Sequence, residues 1–351
     1  MTTGATIRVL IVDDSMFMRK VISRIVEEGQ GFSVAGVACN GREAVELVQR
    51  LKPDVVTMDV EMPEMNGVEA LEIIMRRMPV PVVMLSSLTK RGAEVTLQCL
   101  SLGAVDFIPK PSGSVSEDIA AIRYVIWHKL RVAARARLTP LTTAPPPPPV
   151  TKGTFHGSPA KQVVAIAAST GGPRALFDVL VALPATLPAT LLVVQHMPPH
   201  FTAAMAERFN QHCALEVAEA SDGDALFNGR ALIAPGGWHL GITPQRTTRL
   251  SDDPPRWGVR PAADILLEDV ATVFPRVCLG VVLTGMGHDG TAGLMEIKAH
   301  GGATIAEDES TCAVFGMPRS AIEAGAADQV LPLPEIAAAI ERWCTRGVRE
   351  S

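Results

Sequence analysis

No two cysteines in this 351-residue chain are spaced as CxxC; Cys39, Cys99, Cys213, Cys278, Cys312 and Cys344 are scattered from end to end. Neither a zinc site nor a disulfide framework is built that way, so a reducing compartment is expected. Positive charge is also in short supply. Lys and Arg number 32 against 37 Asp and Glu, a net charge of −5, which argues against a nucleic-acid partner held through its phosphates. Long apolar runs are missing too. Val277 to Leu283 is among the longest, far short of a membrane span. The opening Met1-Thr2-Thr3-Gly4-Ala5 has neither the basic nor the apolar segment of a leader. A cytoplasmic protein without membrane insertion is therefore expected. What is present is an ordinary globular composition, 47% hydrophobic and 20% charged, over a length that suits two domains.

From Thr139 to Pro159 the chain is mostly prolines, threonines and small residues, with five consecutive prolines at 145–149. Such a stretch makes neither ladder nor helix and tends to extended polyproline II. A semi-rigid linker is the better reading; a ligand for an SH3-type domain rests on composition alone. The chain is thus expected to carry a first domain at 1–125, a connecting helix and linker at 126–160, and a second domain at 161–351.

The first domain alternates strands and helices. Apolar strands are expected at 7–12, 34–38, 55–58, 82–85 and 104–108, with helices after Ser15 and at 42–51. That pattern implies a parallel, doubly wound sheet of the flavodoxin-like type, in which the first and third strands are neighbours at the switch point. Asp13, Asp14, Asp59, Ser86 and Lys110 all fall at the carboxyl ends of these strands. Three converging carboxylates repel one another unless a cation sits among them, and Mg²⁺, a hard ion that takes oxygen ligands, suits the site. A carboxylate in that setting can attack a phosphoryl donor, with Lys110 paired to the phosphoryl oxygens and Ser86 hydrogen-bonded to one of them.

These stretches, Val12-Asp13-Asp14-Ser15, Met58-Asp59-Val60-Glu61-Met62-Pro63, Ser86-Ser87 and Pro109-Lys110-Pro111, resemble the receiver domain of two-component response regulators. The resemblance implies that Asp59 is the phosphoacceptor and that a histidine kinase is the phosphodonor. It also implies that Asp13 and Asp14 are metal ligands, joined by the Glu61 backbone carbonyl.

In the second domain Val163 to Ala168 reads as a buried strand, closed by Ser169-Thr170-Gly171-Gly172-Pro173 and a helix from Arg174. Ser169 then stands at the carboxyl end of a strand, where open α/β sheets bind ligands, and is a candidate nucleophile. A second apolar strand, 190–194, runs into Gln195-His196-Met197-Pro198-Pro199-His200. The spacing of His196 and His200 suits a metal only on a helix, which Pro198 and Pro199 prevent. Short strands are expected at 215–218 and 230–234, with Leu240-Gly241-Ile242 as a hairpin strand, and a helix at 264–274. The strand at 277–283 opens into Thr284-Gly285-Met286-Gly287-His288-Asp289-Gly290, where glycines let backbone amides point into a site. An aspartate just before a helix is most often an N-cap, and Asp289 alone reads that way.

Together, Ser169, His196 and Asp289 supply what a triad requires: an alcohol, an imidazole to take its proton, and a carboxylate to hold the imidazole. The order Ser, His, Asp and the absence of GxSxG disfavour the common α/β-hydrolase fold. No GxxxxGK[ST] or GxGxxG accompanies Ser169, so a phosphate-binding loop is the weaker reading.

Ala168-Ser169-Thr170-Gly171-Gly172, Gln195-His196-Met197-Pro198, Ile233-Ala234-Pro235-Gly236, Arg260-Pro261, Leu283-Thr284-Gly285-Met286-Gly287 with Asp289-Gly290, and Phe315-Gly316-Met317-Pro318 closely resemble the chemotaxis protein-glutamate methylesterase (CheB) family. The resemblance implies a doubly wound α/β methylesterase domain with Ser169, His196 and Asp289 as its triad and the Met286 backbone N–H as an oxyanion donor. It implies no cofactor for ester hydrolysis. The expected activity is phosphorylation-activated removal of glutamate methyl esters from chemoreceptor cytoplasmic domains, releasing methanol, with deamidation of receptor glutamines as well. The competing reading is a receiver fused to a non-catalytic binding module in which Ser169 and Thr170 cradle a ligand.

Overall fold

The computed structural model describes residues 6–110, 115–138 and 157–346, with the side chains of 115–121 left aside. Most of the proline-rich stretch, 139–156, lies outside the described residues. The chain forms two compact units, one on each side of that stretch.

The first unit runs β1 (Ile7–Val12), α1 (Met16–Glu28), β2 (Phe32–Ala38), α2 (Gly41–Leu51), β3 (Val55–Asp59) and α3 (Gly67–Arg77). It continues through β4 (Val82–Ser86), α4 (Lys90–Ser101), β5 (Asp106–Pro109) and α5 (Val115–Ala133). The five strands are parallel in the order β2-β1-β3-β4-β5, which places β1 beside β3. The cause is legible in the residues. Val9 to Val12 are all fully buried, as a central strand covered by helices on both faces requires. Ser15, Asn40, Asn66 and Thr89 each cap the helix that follows, and Asn66 forms a reciprocal box with Glu69.

Of the boundaries that differ from expectation, two follow from specific contacts. The apolar pair Ala104-Val105 is spent on the turn into β5, because Ala104 N–H bonds back to the Cys99 carbonyl of α4. Helix α5 passes through position 125: Ile126, Leu130 and Ala133 are buried in the core of the first unit. Trp127 Nε1 donates to the Ile25 carbonyl of α1 at 2.6 Å and Lys129 pairs with Asp106 of β5 at 2.6 Å, so the helical part of the expected connection packs on the first unit.

The second unit runs β6 (Val163–Ala168), α6 (Gly172–Val181), β7 (Thr190–Gln195), α7 (Phe201–His212), β8 (Glu216–Glu219) and β9 (Arg230–Ile233). Then come β10 (His239–Ile242), β11 (Thr248–Ser251), α8 (Ala263–Val273), β12 (Cys278–Val282) and α9 (Thr291–Ala299). The unit ends with β13 (Ala303–Glu307), α10 (Met317–Glu323), β14 (Gln329–Leu331) and α11 (Leu333–Arg346). Seven parallel strands are ordered β14-β13-β12-β6-β7-β9-β8, and β10 pairs antiparallel with β11 as a separate hairpin. From β6 the chain winds outward through β7, then returns to place β12 on the other side of β6. That reversal makes the β12-β6-β7 edge a topological switch point. Among the described residues, no helix is long and apolar enough to cross a membrane.

Candidate active site

Asp13 follows β1 and Asp59 ends the neighbouring β3, with only 0% and 4% of their surface exposed. With exposed Asp14 they bring one carboxylate oxygen each to within 4.8 Å of one another. Lys110, at the end of β5, reaches both buried acids, 3.0 Å from Asp13 Oδ2 and 2.6 Å from Asp59 Oδ2. Burial opposes the Lys110 charge, but the two carboxylates outweigh it and raise the pKa. Asp59 is pushed up to about 6, chiefly by burial and further by Asp13, against the pull of Lys110. Three carboxylates around one ammonium leave negative charge in excess, and an all-oxygen donor set of this size fits Mg²⁺. Glu61 is exposed, two residues past Asp59. Ser86 is turned elsewhere: its hydroxyl donates to the Gly92 carbonyl at 3.2 Å and accepts from Thr96 at 2.6 Å.

Ser169, His196 and Asp289 share the carboxyl edge of three adjacent strands in the second unit. Ser169 follows β6, its N–H donating to the Thr284 carbonyl at 3.0 Å and its carbonyl accepting from Gln195 Nε2 at 2.9 Å. Gly171, at φ 78°, turns the chain sharply into α6, a conformation a side chain resists. His196 follows β7 and donates its N–H to the Ala168 carbonyl at 3.1 Å, fixing it beside the serine turn. Its Nε2 lies 2.8 Å from Asp289 Oδ2. Nδ1 is the other ring nitrogen, and neither it nor Ser169 Oγ forms a hydrogen bond among the described residues.

Asp289 is an N-cap, though not of its own helix. Its carboxylate accepts from the Ala263 and Asp264 N–H groups at 2.6 and 2.9 Å, at the start of α8. Burial drives its pKa up, but His196 and these amides outweigh burial and hold the carboxyl below the ordinary range. An anion at a helix N-terminus gains in the same direction from the peptide dipoles.

The loop after β12 closes the site. A Cβ on Gly285 would stand 2.7 Å from Ser169 Cβ and 2.5 Å from Met317 Sδ, so only glycine fits against Ser169. The Met286 N–H next to it donates to no acceptor among the described residues. Thr284, behind Ser169, is held through its N–H by buried Glu307 at 2.8 Å and through its hydroxyl by the Thr170 carbonyl at 3.0 Å. His200 does not join His196 at a metal; it is exposed and begins α7 with φ 73°. Sequence reasoning gave no role to Gln195, Thr284, Asp264 or Glu307. An acid in a helix's first turn was the one visible signal for Asp264, and it is too common to single the residue out.

The CheB methylesterase family model matches residues 164–340, and the response regulator receiver domain model matches residues 9–122. A protein-glutamate methylesterase/protein-glutamine glutaminase of Geobacillus kaustophilus is 49% identical, with 95% of this chain and 98% of the relative covered. The protein of the same name from Pyrococcus abyssi is 46% identical, covering 97% of this chain and 94% of its own. The crystal structure of the Thermotoga maritima CheB methylesterase catalytic domain superimposes with a TM-score of 0.51 at 44% identity. It covers 52% of this chain and 97% of that domain. The chain belongs to the CheB methylesterase family, with a response regulator receiver domain ahead of the catalytic domain.

Proposed function

We propose that this protein hydrolyses γ-glutamyl methyl esters on the cytoplasmic helices of chemoreceptors, giving glutamate and methanol, and deamidates receptor glutamines at the same site. The observation that carries the reading is the His196–Asp289 pair beside Ser169 on one sheet edge. His196 Nδ1 takes the Ser169 proton as Oγ bonds to the ester carbonyl carbon, and the carbonyl electrons move onto oxygen. The Met286 N–H donates to that oxyanion. Collapse expels methoxide, which leaves as methanol with the proton from the imidazolium. Water, deprotonated by His196, then releases glutamate and restores Ser169. With a glutamine side chain the leaving group is ammonia. The Asp289 charge, held by two amides, stabilises the imidazolium throughout.

Asp59 is proposed as the acceptor of a phosphoryl group from a partner histidine kinase, forming an O–P bond as the donor's N–P bond breaks. Asp13, Asp14 and Asp59, with the Glu61 carbonyl, would hold Mg²⁺, which shields the phosphoryl oxygens. Lys110 would pair with those oxygens, and Ser86 would turn from Gly92 and Thr96 to meet one of them. Phosphorylation is proposed to raise the hydrolase rate.

The test is methanol release from methylated receptor membranes. Ser169→Ala is expected to lose about three orders of magnitude or more while remaining folded. Retention of more than about a tenth of the wild-type rate would remove Ser169 from the nucleophile's role.

A further inference from the structure

Two helices begin beside the active site, and neither caps itself. Helix α8 starts after Ala262 and α9 after Gly290; neither residue offers a side-chain hydrogen bond to its helix. First-turn N–H groups left without partners in a buried site are costly. Here the caps are exchanged. Asp289, at the approach to α9, accepts from Ala263 and Asp264 of α8 at 2.6 and 2.9 Å. Asp264, in the first turn of α8, accepts through Oδ1 from Gly290 at 2.9 Å and Gly293 at 2.8 Å, at the start of α9.

Asp264 is fully buried, and its second oxygen is occupied as well. Oδ2 accepts from Trp257 Nε1 at 2.9 Å, and the Arg256 guanidinium lies 3.9 Å away. The Trp257 ring, 55% exposed, meets the His288 ring edge-on with centroids 4.4 Å apart. Burial pushes the Asp264 pKa up, and the Asp289 charge adds to it, against the pull of Gly293 and Trp257. A carboxylate beside another in a buried site is a standing cost, and a helix cap alone could be made by Ser or Thr.

We propose that Asp264 is a positioning residue for the hydrolase: by capping α9 it fixes the approach to Asp289, and through Asp289 the orientation of His196. Trp257 holds Asp264 in that place. The chain of contacts is His196, Asp289, the α8 N-terminus, Asp264, the α9 N-terminus and back to Asp289. Its catalytic consequence rests on the reading of Ser169, His196 and Asp289 as a triad.

The test uses the full-length protein and two readouts. One is the downfield imidazole N–H resonance of His196 bonded to Asp289, identified by its loss in His196→Ala and recorded without substrate. The other is the division of methanol-release kinetics between kcat and KM. Asp264→Ala is expected to displace or abolish the resonance and to lower kcat about tenfold to a hundredfold, with KM within about twofold. Asp264→Asn keeps one oxygen for Gly290 and Gly293 and should recover much of the loss. Trp257→Phe removes the indole donor at an exposed position, so the fold is retained; it should move the same resonance by less and lower kcat about twofold to fivefold. Val270→Ala, a core truncation in α8, should lower stability and leave the resonance in place.

An unmoved resonance with wild-type kcat in folded Asp264→Ala overturns the proposal. Should that variant not fold, the same result in Trp257→Phe overturns it. Because the resonance needs no substrate, the two readings fail separately. A resonance that moves in a protein releasing no methanol defeats the methylesterase reading alone. Methanol release with a resonance indifferent to both variants defeats the positioning role alone.

Discussion

Asp59 and Asp289 are the same residue at the same depth, 4% and 3% exposed, each on the carboxyl edge of a parallel sheet, yet their carboxyl groups are pushed in opposite directions. Burial acts on both. Asp59 answers it chiefly with one lysine, helped a little by the Val60 backbone N–H, and shares that lysine with Asp13, a like charge that undoes part of the gain. Asp289 answers it with two backbone amides at a helix N-terminus and an imidazole, with no carboxylate sharing those donors. The receiver edge therefore holds surplus negative charge suited to a cation. On the catalytic edge the negative charge is already satisfied and can support a transient imidazolium. Burial alone assigns neither function; the donors do.

The comparison breaks most visibly at the imidazole. His196→Ala should cost about three orders of magnitude or more in methanol release, and Asp289→Asn less than that, since the amide oxygen still accepts from one of the two α8 amides. Comparable rates for wild type and His196→Ala would leave the Asp289 charge with nothing to serve. Next is the backbone. Gly285→Ala places a methyl where Ser169 Cβ and Met317 Sδ stand, and about a hundredfold loss of kcat is expected from displacing the nucleophile.

On the receiver side the expected effect is smaller. A small phosphodonor with Mg²⁺ should put a base-labile phosphoryl group on Asp59 and raise the hydrolase rate about tenfold, equivalent to about 1.4 kcal/mol. Asp59→Asn should take up no such label and show no response. Equal labelling of Asp59→Asn and wild type would move the acceptor elsewhere.

The smallest effect sharpens the contrast most. The Asp59 carboxyl has a folded pKa of about 6 against an ordinary 3.8, so the folded state holds its proton more tightly. Its contribution is present at low pH and is lost as pH rises from about 4 through about 6. In metal-free protein at pH 8, Asp59→Asn should therefore stabilise the receiver relative to wild type. Asp289, with its pKa lowered, contributes above its unfolded value and loses that contribution as pH falls, so Asp289→Asn should destabilise the catalytic unit at pH 8. Thermal denaturation of both variants across pH measures the two signs. The same sign for both would show that donor placement does not govern these acids.

How much of this was legible follows from locality. Val9–Val12 and Val163–Ala168 are continuous apolar runs because both faces of their strands are covered, and such runs announce central parallel strands and their chemical ends. The peripheral strands carry no such mark: Gln329-Val330-Leu331 of β14 is largely exposed, and β11 pairs with β10 in a two-stranded sheet apart from the main one. The five expected receiver strands and the neighbouring first and third strands follow from alternation and the switch-point rule. The exchanged caps were illegible for a different reason. Asp264 and Asp289 stand 25 residues apart in sequence, and each looks locally like a cap for its own helix. Only the packing of α8 on α9 reveals that each serves the other. Ser86 was legible as a strand-end hydroxyl, but its present partners on α4 were not, because they depend on how that helix sits.

The most direct measurement of the central claim is the location of the acyl group during turnover. Full-length protein mixed with a methylated receptor fragment and quenched rapidly in acid is expected to carry the γ-glutamyl fragment as an ester on the Ser169 peptide, found by mass spectrometry. The adduct should be absent from Ser169→Ala and should not accumulate in His196→Ala, which cannot remove the serine proton. An adduct on another residue, or methanol release at the wild-type rate with no adduct site at Ser169, would contradict the account.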